Sequence, residues 1–290
     1  LYQNGYPISV VYTQPPQKSQ RGQKINKSPV HGISETLNID FRCPKTLRDN
    51  DEEYNFIKEL NADLAIVVAY GQIIPENFLN LTKKGFINIH ASILPKWRGA
   101  APIQRSIMKL DTETGISIMK INKELDSGPI SNIYKIKIDH NNNAQEISEK
   151  LSLLAAEKIL DNIEEIFEDK IQFIDQDHSK ATYAKKIDKN EGKINWSDKA
   201  INIIGKINGL FPNPGAFFIF NGERYKILKA EIGNGIGKAG EVLTDKLEIA
   251  CSNNQSIKIL EIQRQGKKVQ KIGEFLLGSQ IKKGSVISNV

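Results

Sequence analysis

This sequence of 290 residues contains only two cysteines, two tryptophans and two methionines, and it has no long apolar run. Cys43 and Cys251 lie far apart and form no C-x-x-C pair, which excludes a structural zinc site and indicates isolated thiols in a reducing compartment. No stretch approaches the ~20 apolar residues that a membrane-spanning helix needs. The start, LYQNGYPISV, lacks the basic and apolar regions of a signal peptide. We therefore predict a protein without metal and without membrane association.

Basic residues outnumber acidic residues, and this excess is unevenly distributed along the chain. The net charge is +6, yet residues 200–290 contain thirteen Lys and Arg against seven Asp and Glu, and residues 1–199 contain 27 of each. A basic segment beside a neutral one indicates a polyanionic partner, most often nucleic acid. Lysine-rich solubility explains the same excess equally well, so charge alone leaves both interpretations open.

The first two-thirds of the chain alternate strand-like and helix-like segments. ISVVYT, DLAIVVAY, GFINIH and GISIMKI are short apolar runs typical of strands, whereas EEYNFIKEL and APIQRSIMK have helical spacing. The run DLAIVVAY indicates a strand buried on both faces of a parallel sheet. A long amphipathic helix is predicted over residues 144–170. This alternation predicts a doubly wound, Rossmann-like α/β domain over residues 1–178.

The sequence pattern changes after residue 178. A polar, charged stretch over residues 179–199 is typical of a linker. Residues 200–290 then contain about five short strands separated by Gly, Asn and Asp, with a hairpin signal at Asn221-Gly222. This pattern predicts a small, basic, OB-like β-barrel domain.

The stretch INIHASILPKWRGAAP (residues 87–102) indicates a chemical site. Residues i and i+2 of a strand point to the same side, so Asn88 and His90 leave the carboxyl end of GFINIH together, where ligands bind in open α/β sheets. Their N–H groups suit the stabilisation of negative charge on a carbonyl oxygen. Ser92 lacks a G-x-S-x-G context, so a serine hydrolase is not favoured.

A base is still needed, and Asp126 in ELDSGPI is the candidate, since it follows the strand GISIMKI. An aspartate in an ordinary turn before Ser-Gly has the same pattern. Three polar residues on neighbouring strand ends would form an acyl-transfer site without a covalent intermediate or a metal.

Taken together, these segments resemble the folate-dependent formyltransferases. The matching stretches are NIHASILPKWRGAAPIQRSI, TGISIMKINKELDSGPI, VYTQP, VVAYGQIIP, ATYAKKIDKNEGKINW and FPNPGAF, which are spread over nearly the whole chain. RGAAPIQRSI favours the branch that acts on aminoacyl-tRNA over the branches that act on glycinamide ribonucleotide or amino sugars.

The resemblance implies a reaction, a formyl donor and a partner. The formyl group of 10-formyltetrahydrofolate would pass to the α-amino group of methionine on initiator tRNA, catalysed by a monomer in the bacterial cytoplasm or an organellar matrix. Asn88 and His90 would hold the oxyanion, and Asp126 would orient His90 and help to move the amine's proton.

The resemblance also implies binding residues. The folate contacts would be Val68, Ala69, Tyr70, Gly71, Ser92, Leu94 and Pro95. The tRNA contacts would be Lys18, Arg21, Lys24 and Lys27 in the loop QPPQKSQRGQKINKSP, then Arg98, and finally Arg264, Lys267 and Lys268 with Lys271 in QRQGKKVQK. Without the resemblance, VVAYGQIIP is equally typical of a strand-to-helix turn, and the basic loop is typical of a solvated one.

Three alternatives stay open: an amino-sugar nucleotide formyltransferase, a formyltetrahydrofolate hydrolase of the same fold, and a non-catalytic RNA-binding protein. The basic loop and the charge distribution disfavour a small anionic substrate, and the intact trio disfavours a non-catalytic protein. Members of the family begin with a further strand and a Gly-Thr-Pro loop before ISVVYTQ, so we expect this chain to lack that start.

Overall fold

The structure, a computed structural model, describes residues 1–18 and 25–289. The chain forms two compact units that alternate along the sequence. The first unit comprises residues 1–100, 115–134 and 152–182, and the second comprises residues 101–114, 135–151 and 183–290. The predicted division into a domain over residues 1–178, a linker over residues 179–199 and a domain over residues 200–290 stays a prediction.

The described elements are thirteen strands, six α-helices and several short 3-10 turns. The strands are β1 (Val11–Tyr12), β2 (Gln17–Lys18), β3 (Ile25–Asn26), β4 (Phe41–Arg42), β5 (Ala65–Val67), β6 (Phe86–His90), β7 (Glu113–Lys120), β8 (Ile130–Lys137), β9 (Ala216–Phe220), β10 (Glu223–Gly233), β11 (Glu248–Ala250), β12 (Ser256–Arg264) and β13 (Gln270–Lys271). The helices are α1 (Pro29–Thr36), α2 (Asp51–Leu60), α3 (Pro102–Met108), α4 (Ala144–Phe167), α5 (Ala200–Gly209) and α6 (Ile272–Leu276).

Parallel and antiparallel pairs both occur among β1 to β8. β1 pairs in parallel with β4, and β5 pairs in parallel with β6, whereas β7 runs antiparallel to β6. The predicted Rossmann-like α/β class is confirmed, with a mixed sheet in the order β5-β6-β7-β8. β5 lies at the edge of this sheet, so its residues are half-buried and not buried on both faces as DLAIVVAY predicted.

Local sequence explains the helix ends. The side chain of Ser28 caps α1 by accepting from the His31 N–H, and Pro29 occupies the first turn. Asn50 caps α2 by accepting from the Glu53 N–H at 3.1 Å. The apolar stripe predicted for α4 is buried, with Ile147 fully inaccessible.

Glu53 ties α2 to the ends of β1 and β4. Although Glu53 is only 6% exposed, its Oε2 accepts from the Tyr12 hydroxyl at 2.5 Å and from Arg42 Nε at 2.7 Å. Burial raises the pKa of Glu53, but the hydrogen bonds from Arg42 and Tyr12 outweigh it and hold the pKa below its ordinary value. The stabilisation from this carboxylate is therefore present above its unfolded-state pKa and is lost as the pH falls through the folded-state pKa.

We expect Glu53→Gln to lower the free energy of unfolding by about 2 kcal/mol at pH 6, because a charged hydrogen-bond acceptor is lost. The difference from wild type should shrink as the pH is lowered from 6 toward about 3, as Glu53 of the wild type takes up a proton. Urea unfolding at both pH values measures the effect, and the exposed Glu59→Gln on the same helix is the control. An equal difference at both pH values would contradict the assignment.

The second unit contains an antiparallel sheet in the order β11-β12-β10-β9, with β13 also pairing with β12. The predicted hairpin is confirmed: Asn221 and Gly222 join β9 to β10 with φ values of 49° and 76°. The core beneath the sheet includes Trp196, Phe218 and Ile257.

Helix α5 packs on α3 and β10 of the same unit, and the sequence patterns did not predict it. A Cβ on Gly205 would lie 2.7 Å from Leu110 Cδ2, and one on Gly209 would lie 2.6 Å from Met108 Cγ. The two glycines therefore permit a close approach of α5 to α3 and its C-terminal end.

Both cysteines are free thiols, and burial raises the pKa of Cys251 to about 12. In the described part of the chain, no helix is long and apolar enough to cross a bilayer. Among the same residues, no group of three or more His, Cys, Asp or Glu side chains could hold a metal ion.

Candidate active site

Asn88 and His90 lie on β6, and Asp126 lies in the loop between β7 and β8. In the antiparallel pairing, Asn88 is opposite Met119 and His90 is opposite Ser117. The loop that carries Asp126 passes very close to the end of β7. A Cβ on Gly128 would clash with the Lys120 carbonyl oxygen, so only glycine fits there. Asp126 itself has a φ of 46°, in the left-handed region that non-glycine residues rarely adopt.

The carboxylate of Asp126 is the centre of the site. Its Oδ1 lies 3.4 Å from Asn88 Nδ2, and its Oδ2 lies 3.6 Å from His90 Nδ1. Oδ2 also accepts from the Gly99 backbone N–H at 2.8 Å. The structure therefore brings together the three predicted residues, although the contacts to Asn88 and His90 are longer than a strong hydrogen bond.

The backbone carbonyl of Trp97 determines which ring nitrogen of His90 bears a proton. His90 is 6% exposed, and its Nε2 lies 3.0 Å from the Trp97 carbonyl oxygen, which can only accept. Nε2 therefore bears a proton in this arrangement. In the doubly protonated ring, the Nδ1 proton would face the Asp126 carboxylate, whose Oδ2 lies 3.6 Å away.

The loop after β6 is held from inside the first unit. Ser92 is fully buried and donates to the Lys96 carbonyl at 2.6 Å, and Ser117 donates to the Ser92 carbonyl at 2.7 Å. Leu94 is 3% exposed, and the bond to Pro95 is cis. The side chains of Ser92 and Leu94 thus shape the loop from within and do not line an open surface.

The predicted folate segment is more open. Val68 is 55% exposed and directly follows Val67, which is the partner of Asn88 in the sheet. Ala69 and Gly71 have φ values of 47° and 77°, and the Tyr70 carbonyl accepts from Gln14 Nε2 at 2.7 Å. The Tyr70 side chain is half-buried, and burial raises its pKa to about 12.

Two exposed apolar residues, each close in sequence to a predicted site residue, were not identified in the sequence analysis. Ile73 is 72% exposed, and Leu125, directly before Asp126, is 60% exposed. Exposed apolar side chains next to polar catalytic candidates are typical of a binding surface. Only their exposure in the folded chain distinguishes them from ordinary core residues.

The basic loop forms the stem of a hairpin, in which β2 pairs with β3 through Lys18 and Ile25. Arg21 and Lys24 lie outside the described residues. Lys27 is half exposed and pairs with Glu35 at 2.7 Å.

The second basic cluster lies on the turn between β12 and β13. Lys267, Lys268 and Lys271 are exposed there, whereas Arg264 pairs with Glu223 at 2.5 Å. The turn is held by the Lys267 N–H donating to the Arg264 carbonyl at 3.0 Å. We call residues 264–268 the β12–β13 hairpin turn.

Arg98 differs from the other predicted tRNA contacts. It is 3% exposed, and its guanidinium donates to Gln176 Oε1 from Nε at 3.1 Å and from Nη2 at 2.7 Å. The guanidinium is thus directed to partners inside the unit, and its contact with tRNA stays a prediction. Its position favours a role within the protein.

Comparisons with known proteins are consistent with this geometry. A family model described as "Formyl transferase" matches residues 2–163, and one described as "Formyl transferase, C-terminal domain" matches residues 186–280. The fold and the site thus define a group transferase with a mixed α/β domain and an antiparallel β domain. The chain belongs to the formyl transferase family, as the sequence resemblance predicted.

Individual members of this family and one solved structure are also similar to this chain. The chain is 67% identical to the methionyl-tRNA formyltransferase of Pelagibacter ubique, over all of this chain and 94% of that protein. It is 40% identical to the methionyl-tRNA formyltransferase of Brucella anthropi, over 97% of this chain and 92% of that protein. Among solved structures, an N-formyltransferase from Helicobacter canadensis in complex with folinic acid and dTDP-3-aminofucose matches with a TM-score of 0.66. That structure is 20% identical over 89% of this chain and 91% of its own, so the match concerns the fold alone.

Proposed function

We propose that this chain transfers the formyl group of 10-formyltetrahydrofolate to the α-amino group of methionine on initiator tRNA. The observation that carries the proposal is the Asp126 carboxylate, which lies 3.4 Å from Asn88 Nδ2 and 3.6 Å from His90 Nδ1. The 67% identity to a methionyl-tRNA formyltransferase over the full chain supports the choice of acceptor.

Asn88 and His90 supply hydrogen bonds to the formyl oxygen as negative charge develops on it. The Asn88 carboxamide has two N–H groups, of which one points to Asp126 and the other can donate to a substrate. His90 is held by Trp97 through Nε2, so Nδ1 is the nitrogen that faces the reacting groups. In the doubly protonated ring, Nδ1 also bears a proton, and the 3.6 Å separation from Asp126 leaves that N–H available to an arriving oxygen.

Asp126 receives the proton that the attacking amine loses. Its Oδ2 is held by the Gly99 N–H at 2.8 Å, which keeps one lone pair occupied and fixes the direction of the other. The carboxylate also stabilises a protonated His90. The proton passes to Asp126 directly or through one water, and it then goes to N10 of tetrahydrofolate as the bond between N10 and the formyl carbon breaks.

The folate would be held beside the trio by the segment Val68–Gly71. Exposed apolar side chains at Val68, Ile73 and Leu125 suit an aromatic ring system, and the left-handed turn at Ala69 and Gly71 gives backbone groups close access to its polar edge. Ser92, Leu94 and Pro95 would contribute through the shape of their loop.

Two basic elements would hold the tRNA, one in each unit. The basic loop of residues 14–29 contains Lys18, Arg21, Lys24 and Lys27 in its sequence, and the β12–β13 hairpin turn contains Lys267 and Lys268. Exposed cations on turns suit contacts with phosphates, which set affinity more than sequence preference. Arg264 contributes less because Glu223 neutralises part of its charge.

We expect the double variant Lys267→Ala/Lys268→Ala to raise the KM for charged tRNA by roughly tenfold at low salt while leaving the KM for folate unchanged. The slope of log affinity against log salt should also become less steep by about 2, one for each lost phosphate contact. The matched control is Lys282→Ala/Lys283→Ala, exposed lysines of the same unit. Unchanged slopes in the Lys267 and Lys268 variant would remove this turn from the interface.

The function is tested by formyl transfer with three acceptors in parallel. Each reaction contains 10-formyltetrahydrofolate with methionyl initiator tRNA, with a dTDP-linked amino sugar, or with buffer alone. Formylmethionyl-tRNA as the predominant product supports the proposal. Faster formylation of the amino sugar, or faster release of formate in buffer, overturns it in favour of the corresponding alternative.

The proposal places the activity in the cytoplasm, where charged tRNA is made and used. A single copy carries the whole trio and both basic elements, so the proposal requires only a monomer. Size-exclusion chromatography with light scattering, with and without tRNA, tests this part.

A further inference from the structure

Gln176 connects the two loops that build the site. Its side chain is buried, at 7% exposure, and its Nε2 donates to the Asp126 carbonyl at 3.0 Å and to the Gly128 carbonyl at 2.7 Å. Its Oε1 accepts from Arg98 at 2.7 Å and 3.1 Å. One carboxamide therefore uses both of its ends, one on the loop of Asp126 and one on the loop after β6.

Arg98 is the second half of this bridge. The next residue, Gly99, donates its backbone N–H to Asp126 Oδ2 at 2.8 Å. The Arg98 guanidinium also contacts His178 Nδ1 at 3.3 Å, so two side chains from one short segment fix it. Holding Arg98 thereby holds the N–H that orients the Asp126 carboxylate.

Thr182, in the same segment, also forms hydrogen bonds with the loop after β6. Thr182 accepts from the Trp97 N–H through Oγ1 at 2.9 Å and from the Arg98 N–H through its carbonyl at 2.8 Å. The Thr182 N–H donates to the Pro95 carbonyl at 3.2 Å. We call residues 176–182 the brace, since they contact both loops within the first unit.

We propose that the brace positions Asp126 for catalysis, with Gln176 and Arg98 as positioning residues. This inference rests on the proposed function, in which Asp126 handles the proton. The left-handed conformation of Asp126 is unfavourable for a side-chain-bearing residue and persists only when its surroundings enforce it. Gln176 enforces it by bonding to the carbonyl of Asp126 itself.

The decisive variant is Gln176→Met, which keeps the volume of the side chain and removes all its hydrogen bonds. We expect kcat to fall roughly 10–100-fold, because small displacements of a reacting group are costly, while the KM values for folate and tRNA stay within about 3-fold. The matched control is Asn162→Leu. Asn162 is another buried carboxamide, and its side chain forms hydrogen bonds with Asn132, Tyr134 and the Lys158 carbonyl. An equal loss of kcat in both variants overturns the proposal.

Gln176→Glu separates positioning from general stability. The carboxylate still accepts from Arg98, but it can no longer donate to the carbonyls of Asp126 and Gly128. We expect a kcat as low as in Gln176→Met together with a melting temperature closer to wild type. Recovery of kcat in Gln176→Glu overturns the role of the two donated hydrogen bonds.

Hydrogen exchange gives a readout that does not depend on the acceptor. We expect the Gly99 amide to exchange about tenfold faster in Gln176→Met than in wild type or in Asn162→Leu, because its acceptor is less well held. If the wild type formylates another acceptor, the proposed function fails, and the brace is then judged by this exchange and by kcat with that acceptor. Unchanged exchange at Gly99 overturns the brace whatever the acceptor is.

Discussion

Replacing Asp126 with asparagine is expected to lower kcat for formyl transfer roughly 10³-fold, within the range for a positioned acid–base group. Asparagine keeps the size of the side chain and can still accept from the Gly99 N–H, so the loop should retain its shape. It cannot take up the proton of the amine, and it places no negative charge beside His90 Nδ1. The loss should therefore appear in kcat and not in the KM for either substrate.

Single-turnover formylation of methionyl initiator tRNA measures this effect directly. Asp63→Asn is the matched control, because Asp63 is an exposed carboxylate of the same unit that pairs with Lys83. Its turnover should equal that of wild type. An Asp126→Asn protein that is folded and within tenfold of wild-type kcat would rule out Asp126 as the proton acceptor.

The second large effect is expected for Asn88→Ala, with a loss of about 10²–10³-fold in kcat, as for removal of one oxyanion donor. Asn88 is half-buried on β6 with its Nδ2 directed to the Asp126 side. Truncation removes a donor to the formyl oxygen and leaves His90 as the remaining one. Stability should change little, since the backbone of β6 stays paired on both sides.

The exposed Asn202→Ala on α5 is the control for this variant. The double variant Asn88→Ala/Asp126→Asn provides a further check, because residues that act on one transition state are not additive in kcat. We expect the double variant to lose much less than the product of the two single losses. Full multiplication of the losses would mean that the two residues act independently.

Local features of this protein could be read from the sequence because their causes are local. The cap at Asn50, the hairpin at Asn221-Gly222 and the strand β6 depend on neighbouring residues alone, through side chain-to-backbone bonds, left-handed turn residues and apolar pattern. The pairing of Asn88 with His90 follows from the two-residue repeat of a strand. The α/β class and the antiparallel second domain follow from the order of such segments.

Only the tertiary structure shows which residues distant in the sequence contact one another. Asp126 reaches the trio only because β7 returns antiparallel to β6 and the loop closes over Gly128, and nothing in ELDSGPI distinguishes this from an ordinary turn. The family resemblance implied that Arg98 contacts tRNA, and only the structure shows that Arg98 is buried and donates to Gln176. Gln176 lies 50 positions after Asp126 in a polar stretch with no pattern of its own.

The sequence by itself thus determined several of the strands and helices, the family and the identity of the catalytic candidates, since each rests on periodicity or on a contiguous motif. The distances between those candidates, the exposure of Val68 and Leu125, and the helix α5 with its two close-packed glycines were decided by the fold. The physical reason is that burial and contact belong to pairs of segments that are distant in the chain. The residues around a glycine or a glutamine in the sequence do not indicate which distant residue it will contact in the folded protein.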